Sequence, residues 1–346
     1  MSSSSYTPTW LTRNLPDLVQ DSRLETEALG SCIQHVFYET GRTALERRVR
    51  RIEQWVRQGF LGAGAYGTVN LEKCVTDGDQ TARLRAVKQI KKYIVPGEEL
   101  DYARELEAVI KFSHPRYSHC FVTSHGWYES DDSVFITMEY LAYRDLQRYL
   151  VRPLPEDEAV QIVAQVLEGL QYMHGNGFVH RDLKPGNIMV VTKSPDWFVK
   201  IADFGISKRR RQDVTTLATL QRGTMGFMAP EVLGYTDGGT YTSLVDMWSL
   251  GAVAYIVLTS VSPFPTMADL TSYVLRKKGF PAILLQTHHV SELAQDFITK
   301  LMICDPNERP TAYSAGQHGW LYTETPRFTE ERFHRTEYVL EWSTDY

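Results

Sequence analysis

The chain has 346 residues, of which 43% are hydrophobic, 23% charged and 12% aromatic, the make-up of a globular protein with room for one large or two ordinary domains. A net charge of only −5 argues against a nucleic-acid or membrane-surface role carried by bulk charge. Cys32, Cys74, Cys120 and Cys304 lie far apart with no CxxC spacing, which points to thiols in a reducing compartment rather than to disulfides or a zinc site.

Taken in order, Met1-Ser-Ser-Ser-Ser-Tyr6 has neither the basic start nor the apolar run of a signal peptide. The most apolar stretch, residues 250–258, is too short to span a bilayer, so an intracellular protein, cytoplasmic or nuclear, is expected. Residues 1–23 contain Ser, Thr and Pro and read as a disordered tail. Residues 24–54 read as a helical extension that runs on to about Val56, broken near Gly30 and Gly41. Within it Leu45, Val49, Ile52 and Val56 fall on one helix face, with Arg47, Arg48, Arg50, Arg51 and Arg57 crowding the other. Such a basic amphipathic helix resembles calmodulin targets, although a helix bracing the next domain with solvated arginines is the plainer reading. From about Trp55 to Glu139 strand signals dominate, interrupted by one helical stretch at 98–112. Beyond Asp145 the chain reads as mostly helical, with helices at 156–173, 243–258 and 291–302. A β-rich segment followed by an α-rich one predicts two lobes with a cleft between. Residues 322–346 read as a C-terminal extension.

Several short motifs carry the chemistry. In Leu61-Gly-Ala-Gly-Ala-Tyr-Gly-Thr-Val69, Gly62, Gly64 and Gly67 form G-x-G-x-x-G. Without side chains, backbone N–H groups can approach phosphate oxygens closely, and positive φ carries little strain. Alone the motif also fits a dinucleotide-binding turn, but that turn opens a helix and is followed about 20 positions on by an acidic residue. Here β-type Thr68-Val-Asn-Leu71 follows, and the later residue is Lys88, which by itself would read as a solvated strand lysine. Downstream stand His180-Arg-Asp-Leu-Lys-Pro-Gly-Asn187, Asp203-Phe-Gly205, Ala229-Pro-Glu231, Asp246-Met-Trp-Ser-Leu-Gly251 and Cys304-Asp-Pro-Asn-Glu-Arg-Pro310. Any one of these carboxylates could be a loop cap or a surface charge; the ordered set does not read that way.

With these motifs in this order, residues 55–321 resemble the eukaryotic protein kinase family. The resemblance implies an α+β bilobal fold, with a small β-rich N-lobe holding one helix, a larger mainly α-helical C-lobe, and an ATP cleft between. It implies an ATP- and Mg²⁺-dependent phosphotransferase acting on protein substrates. Leu61, Gly62, Gly64 and Gly67 would cover the nucleotide. Lys88 would pair with the α- and β-phosphates, aimed by Glu105 rather than by Glu107, which faces elsewhere on its helix. Asp182 would accept or orient the proton of the attacking hydroxyl, and Lys184 would steady the γ-phosphate. Asn187 and Asp203 would hold Mg²⁺ through hard oxygen donors. Val69, Ala86 and Met189 would sandwich adenine behind the gatekeeper Met138. Glu139 and Leu141 would offer it backbone groups, and Asp145 would bind ribose hydroxyls. Arg309 would partner Glu231, and Asp246 would hold the catalytic-loop backbone.

Lys184 is the marker of serine/threonine kinases, and within that family the likeness is to the calcium/calmodulin-dependent and checkpoint kinases. Gly223-Thr-Met-Gly-Phe-Met-Ala-Pro-Glu231 resembles the GTxxYMAPE form with Phe227 for Tyr, and Thr224 would bond Asp182 and Lys184. Gly186 stands where basophilic relatives carry Glu, which puts a strict arginine requirement in doubt. Ile206 after Asp203-Phe-Gly205 is the β-branched type associated with threonine acceptors. Arg181, next to the catalytic Asp182, would gather a phosphate placed by an upstream kinase, or by autophosphorylation in trans, on Thr219, with Thr215 and Thr216 the other candidates. Lys208-Arg-Arg-Arg211 belongs to the same loop more readily than it forms a nuclear signal. The rival function is a pseudokinase scaffold that binds nucleotide or partners without transfer. Degenerate kinases lose a lysine or aspartate of the set, and this chain keeps Lys88, Asp182, Asn187 and Asp203.

Overall fold

The computed structural model describes residues 15–39, 48–64, 67–76, 83–95, 98–99, 102–203, 225–235 and 242–322. A short helix, α1 (Asp17–Asp21), precedes the strands β1 (Glu25–Leu29), β2 (Cys32–Glu39), β3 (Val49–Gly64), β4 (Gly67–Cys74) and β5 (Leu84–Lys91). A ribbon of β6 (Tyr93–Val95) and β7 (Glu98–Glu99) leads into helix α2 (Ala103–Phe112). Strands β8 (Ser124–Glu129) and β9 (Ser133–Glu139) complete a seven-stranded sheet of order β1-β2-β3-β4-β5-β9-β8. The two-residue period of a strand sorts its side chains. On β5, Lys88 and Ile90 face α2, and Ile90 joins Trp127, Ile136, Leu106 and Phe112 in one buried cluster. Arg85 and Val87 point to the opposite face.

Three expectations for this region are corrected. The helix predicted over 24–54 is absent among the described residues, where β1, β2 and the start of β3 stand instead. The spacing of Val49, Ile52 and Val56 fits a helix face, but Cys32-Ile-Gln-His-Val-Phe-Tyr-Glu39 is β-branched and aromatic and pairs with β3 from Cys32↔Val56 to Glu39↔Val49. Gly30, read as a helix break, is the φ +63° residue of the two-residue turn joining Leu29 to Cys32. The basic helix behind the calmodulin reading is therefore not formed from Val49 onward; Leu45 and Arg47 lie outside the described residues. The tail reading of 1–23 fails at its end, since Leu15 and Val19 are buried and α1 packs on α2. The 98–112 helix starts only at Ala103, because Glu98 and Glu99 pair with β6.

The sheet curls on itself. Leu24 N donates to Trp127 O (2.7 Å) and Trp127 N donates to Ser22 O (3.2 Å), so the residues just before β1 run along β8 at the other edge. Trp127 Nε1 donates to Val19 O at 2.7 Å, pinning α1 to the same place. Inside the curl the residues are polar. Arg85 donates twice to Glu72 (2.9 and 2.7 Å) and lies 4.1 Å from the Trp55 ring centroid, and His35 packs on Tyr128 with ring centroids 5.2 Å apart.

The C-terminal half is helical, as expected. Helix α3 (Glu156–Gly175) begins with Pro155 before it and Glu156, Asp157 and Glu158 in its first turn, which suits the positive end of the helix dipole. The ribbon of β10 (Ile188–Thr192) and β11 (Phe198–Ile201) lies on α3. At Gly169 of α3 a Cβ would come within 2.6 Å of Ile201 Cδ1, so glycine permits that approach. Helix α4 (Leu244–Thr259) is buried from Val245 to Thr259, which explains why its sequence is the most apolar in the chain. Helices α5 (Met267–Val274), α6 (Ile283–Thr287), α7 (Glu292–Leu301) and α8 (Ala312–Ala315) complete the layer around α4 and α3.

Candidate active site

Strands β3 and β4 meet at the pair Gly64↔Gly67 and place Gly62 opposite Val69. Residues 65–66, at the tip, lie outside the described residues. Gly67 is obligatory by contact, because a Cβ there would sit 1.7 Å from the Gln89 carbonyl oxygen of β5. Next on that strand, Lys88 Nζ donates to Glu105 Oε1 at 2.6 Å and to Asp203 Oδ1. Glu105 is buried on α2, whereas Glu107 is only half-buried and takes no part. Burial works against the charge on Lys88, yet the two carboxylates outweigh it and raise its pKa above the usual lysine value. Burial likewise pushes Glu105 up, and Lys88 only partly offsets that. For Asp203 the attraction of Lys88 overcomes burial and lowers the pKa. The lysine is thus held charged between two carboxylates.

Across the cleft, Asp246 at the start of α4 is fully buried and accepts bonds from His180 N (2.8 Å) and Arg181 N (2.7 Å), with His174 Nε2 at 2.9 Å. This grip holds Arg181 at φ 66°, a conformation that costs a non-glycine residue about 1–2 kcal/mol. Asp182 N donates to His180 Nδ1 (3.3 Å), which leaves Nε2 of that ring as the proton carrier towards Ala202 O at 3.1 Å. The ring therefore ties Asp182 to the residue before Asp203. Lys184 Nζ donates to Asp182 Oδ2 at 2.9 Å. Asn187 Nδ2 donates to Asp182 O (2.7 Å) and Oδ2 (3.3 Å), which leaves its amide oxygen as the group for a cation. Asp203, at φ 58°, supplies a carboxylate beside Lys88. Oxygen donors with few protein contacts fit Mg²⁺ coordinated partly by nucleotide phosphates.

The residues expected to face adenine fall at the junction of the lobes. Ala86 pairs with Met138, and Asp145 bridges Met189. Glu139 N donates to Thr123 O (3.0 Å), and its carboxylate accepts from Lys200 Nζ at 2.7 Å. The Asp145 carboxylate accepts from Arg148 Nε at 3.2 Å, so a ribose hydroxyl would compete with that contact. Leu141 O accepts from Arg144 N at 3.1 Å. Arg144 is a residue the sequence reading missed. It sits at φ 64°, its carbonyl accepts from Val190 N (2.8 Å), and its guanidinium Nη1 donates to Leu61 O at 3.2 Å. It therefore ties the glycine-rich strand to the connection between the lobes. No spacing rule marked it, since only the fold brings Leu61 over that connection.

Among the supporting residues, Glu231 accepts from Arg309 Nη1 and Nη2 at 2.5 and 2.7 Å, a buried bidentate pair. Phe227 is buried, and its carbonyl accepts from Ser249 Oγ at 2.8 Å. Thr215, Thr216, Thr219 and Thr224, together with Ile206 and the basic run 208–211, lie outside the described residues.

Comparison with known proteins agrees with this geometry. The family model described as "Protein kinase domain" matches residues 55–321. Calcium/calmodulin-dependent protein kinase type 1 of Caenorhabditis briggsae is 35% identical over 287 residues, which is 82% of this chain and 76% of that one. Serine/threonine-protein kinase cds1 of Schizosaccharomyces pombe is 34% identical over 76% of this chain and 57% of its own. RAD53 of Saccharomyces cerevisiae is 35% identical over 75% of this chain and only 32% of its own length. The crystal structure of Rad53 1-466 in complex with AMP-PNP superposes with a TM-score of 0.61 at 34% identity, covering 77% of this chain and 65% of that one. The chain belongs to the protein kinase family, on its serine/threonine side.

Proposed function

We propose that the cleft transfers the γ-phosphate of ATP to serine and threonine hydroxyls of protein substrates, with Asp182 as the group that takes the hydroxyl proton. The observation that carries this reading is the simultaneous presence of both halves of the machinery, the Lys88–Glu105–Asp203 cluster and the Asp182–Lys184–Asn187 cluster. Lys88 binds and orients the nucleotide phosphates. Asp182 holds the attacking hydroxyl in line and accepts its proton at a carboxylate oxygen, while Lys184 steadies the transferring group. Asn187 and Asp203 would hold Mg²⁺, which supplies charge neutralisation at the phosphates when bound. Ile206 supports a preference for threonine over serine, because its stiff branched side chain complements the extra methyl.

Regulation by phosphorylation belongs to the same reading. Arg181 beside Asp182 and the basic run Lys208-Arg-Arg-Arg211, between Asp203 and Glu231 in the sequence, are the groups that a phosphate on Thr219 would gather. An intracellular setting fits this chemistry, and among the described residues no helix is long and apolar enough to cross a membrane. Phosphorylation of a degenerate peptide library with Mg-ATP tests the function. Transfer to serine and threonine, with threonine ahead, is expected. Nucleotide binding with no transfer under any condition would favour the pseudokinase reading, and serine ahead of threonine would remove the role given to Ile206.

A further inference from the structure

Cys120 shows no metal-binding spacing in the sequence, but the fold supplies what the spacing lacks. The connection that leaves α2 carries His119 and Cys120 across the middle of α3, where it meets Glu168. His119 Nε2 lies 3.0 Å from Glu168 Oε1, and one donor atom from each of His119, Cys120 and Glu168 falls within 4.8 Å of the others. Cys120 is buried at 3% exposure and is not in a disulfide, while His119 and Glu168 are half-buried. The Tyr172 ring stands edge-on to the His119 ring at 6.0 Å and helps hold it over α3. Thiolate, imidazole and carboxylate form a donor set of intermediate softness. It suits a zinc-type divalent cation and not the Mg²⁺ of the phosphoryl-transfer site.

We propose that His119, Cys120 and Glu168 form a binding site for a zinc-type cation, separate from the active site, with the fourth position open to water. Metal–ligand lengths of about 2.0–2.3 Å place ligand atoms about 3.5 Å apart in a tetrahedron, so the His119–Glu168 pair opens by about 0.5 Å while Cys120 closes on it by up to about 1.3 Å. Binding replaces the His119–Glu168 hydrogen bond by two metal bonds, moves the His119 Nε2 proton to Nδ1 by tautomer exchange through solvent, and releases the Cys120 thiol proton to solvent. The ion would join the connection after α2 to α3. It would also act close to β11, since Cys120 O accepts from Ile201 N at 2.8 Å and Asp203 follows Ile201 by two residues.

The test is a Co²⁺ titration of the full chain in excess Mg²⁺, followed by competition with Zn²⁺. One equivalent of Co²⁺ should produce a thiolate-to-cobalt charge-transfer band that Zn²⁺ bleaches. His119→Gln and Cys120→Ser should each weaken binding at least tenfold, and Cys120→Ser should remove the band. Because Cys120 is in the core, Glu168→Gln is the second variant, and it too should weaken binding at least tenfold with an unchanged melting temperature in the absence of metal. Absence of the band, or binding that survives both His119→Gln and Glu168→Gln, would overturn the proposal.

Discussion

Arg144 holds a left-handed backbone conformation that glycine would adopt without strain, and its guanidinium reaches Leu61. Arg144→Gly relieves that strain, worth about 1–2 kcal/mol, but adds unfolded-state entropy worth about 0.5–1 kcal/mol. Stability should therefore stay within about 1 kcal/mol of wild type, while the hydrogen bond to the glycine-rich strand is lost. That bond, made by a charged donor, is worth about 1.5 kcal/mol, so KM for ATP should rise about tenfold with kcat little changed. Steady-state kinetics beside thermal melting separate this from a structural role, in which melting would fall and KM would hold. Gly186 offers a second residue-scale experiment. A Cβ there would meet nothing nearer than Lys184 Cε at 3.9 Å, so Gly186→Glu fits without repacking. The added carboxylate should impose a preference for arginine-containing peptides of about tenfold, read from paired peptides with and without the arginine. An unchanged ratio would mean that the position does not face the peptide.

At the scale of elements, the β1–β2 hairpin is more than an appendage, because it covers the polar face of the sheet and buries His35 completely. Burial first, and Arg85 second, depress the His35 pKa to about 3. The sign follows directly: below pH 6.5 the unfolded chain takes up a proton that the folded protein refuses, so the stability tied to neutral His35 is present above that value and lost as pH falls towards 3. Between pH 7 and pH 5 this amounts to about 2 kcal/mol. Urea unfolding of wild type and His35→Gln at both pH values checks it, and a variant that loses as much stability on acidification as wild type would contradict it. The hairpin is also where the sequence was least legible. Residues 45–56 repeat apolar positions at spacings that suit a helix, and only the partner strand 32–39 decides otherwise, which is a tertiary contact. Helices α3 and α7 were legible because their apolar periods run over several turns and meet one buried layer, and α4 because its apolar run is long enough for a helix buried on all sides. The candidate site residues were legible because their ordered motifs resemble those of the family, and the fold brings Lys88, Glu105 and Asp203 together and Asp182, Lys184 and Asn187 together. Arg144 and the His119–Cys120–Glu168 trio were not, since each depends on segments that only folding brings together.

At the scale of the whole molecule, the two lobes meet through Lys88, Glu105 and Asp203, so in the proposed mechanism a displacement of α2 is expected to lower activity. Phosphatase treatment of wild type should lower activity at least tenfold by removing the charge gathered at Arg181, and Thr219→Ala should start low and respond little. Equal activity before and after phosphatase would make Arg181 a packing residue. The central claim is that Asp182 performs proton transfer in an intact nucleotide site. Its most direct test is Asp182→Asn, assayed for ATP binding and for phosphate transfer on the same preparation. The account predicts nucleotide affinity within a few-fold of wild type and transfer slowed about 10²- to 10⁴-fold, the range for loss of a general base. Near-native transfer by a folded Asp182→Asn protein would contradict it.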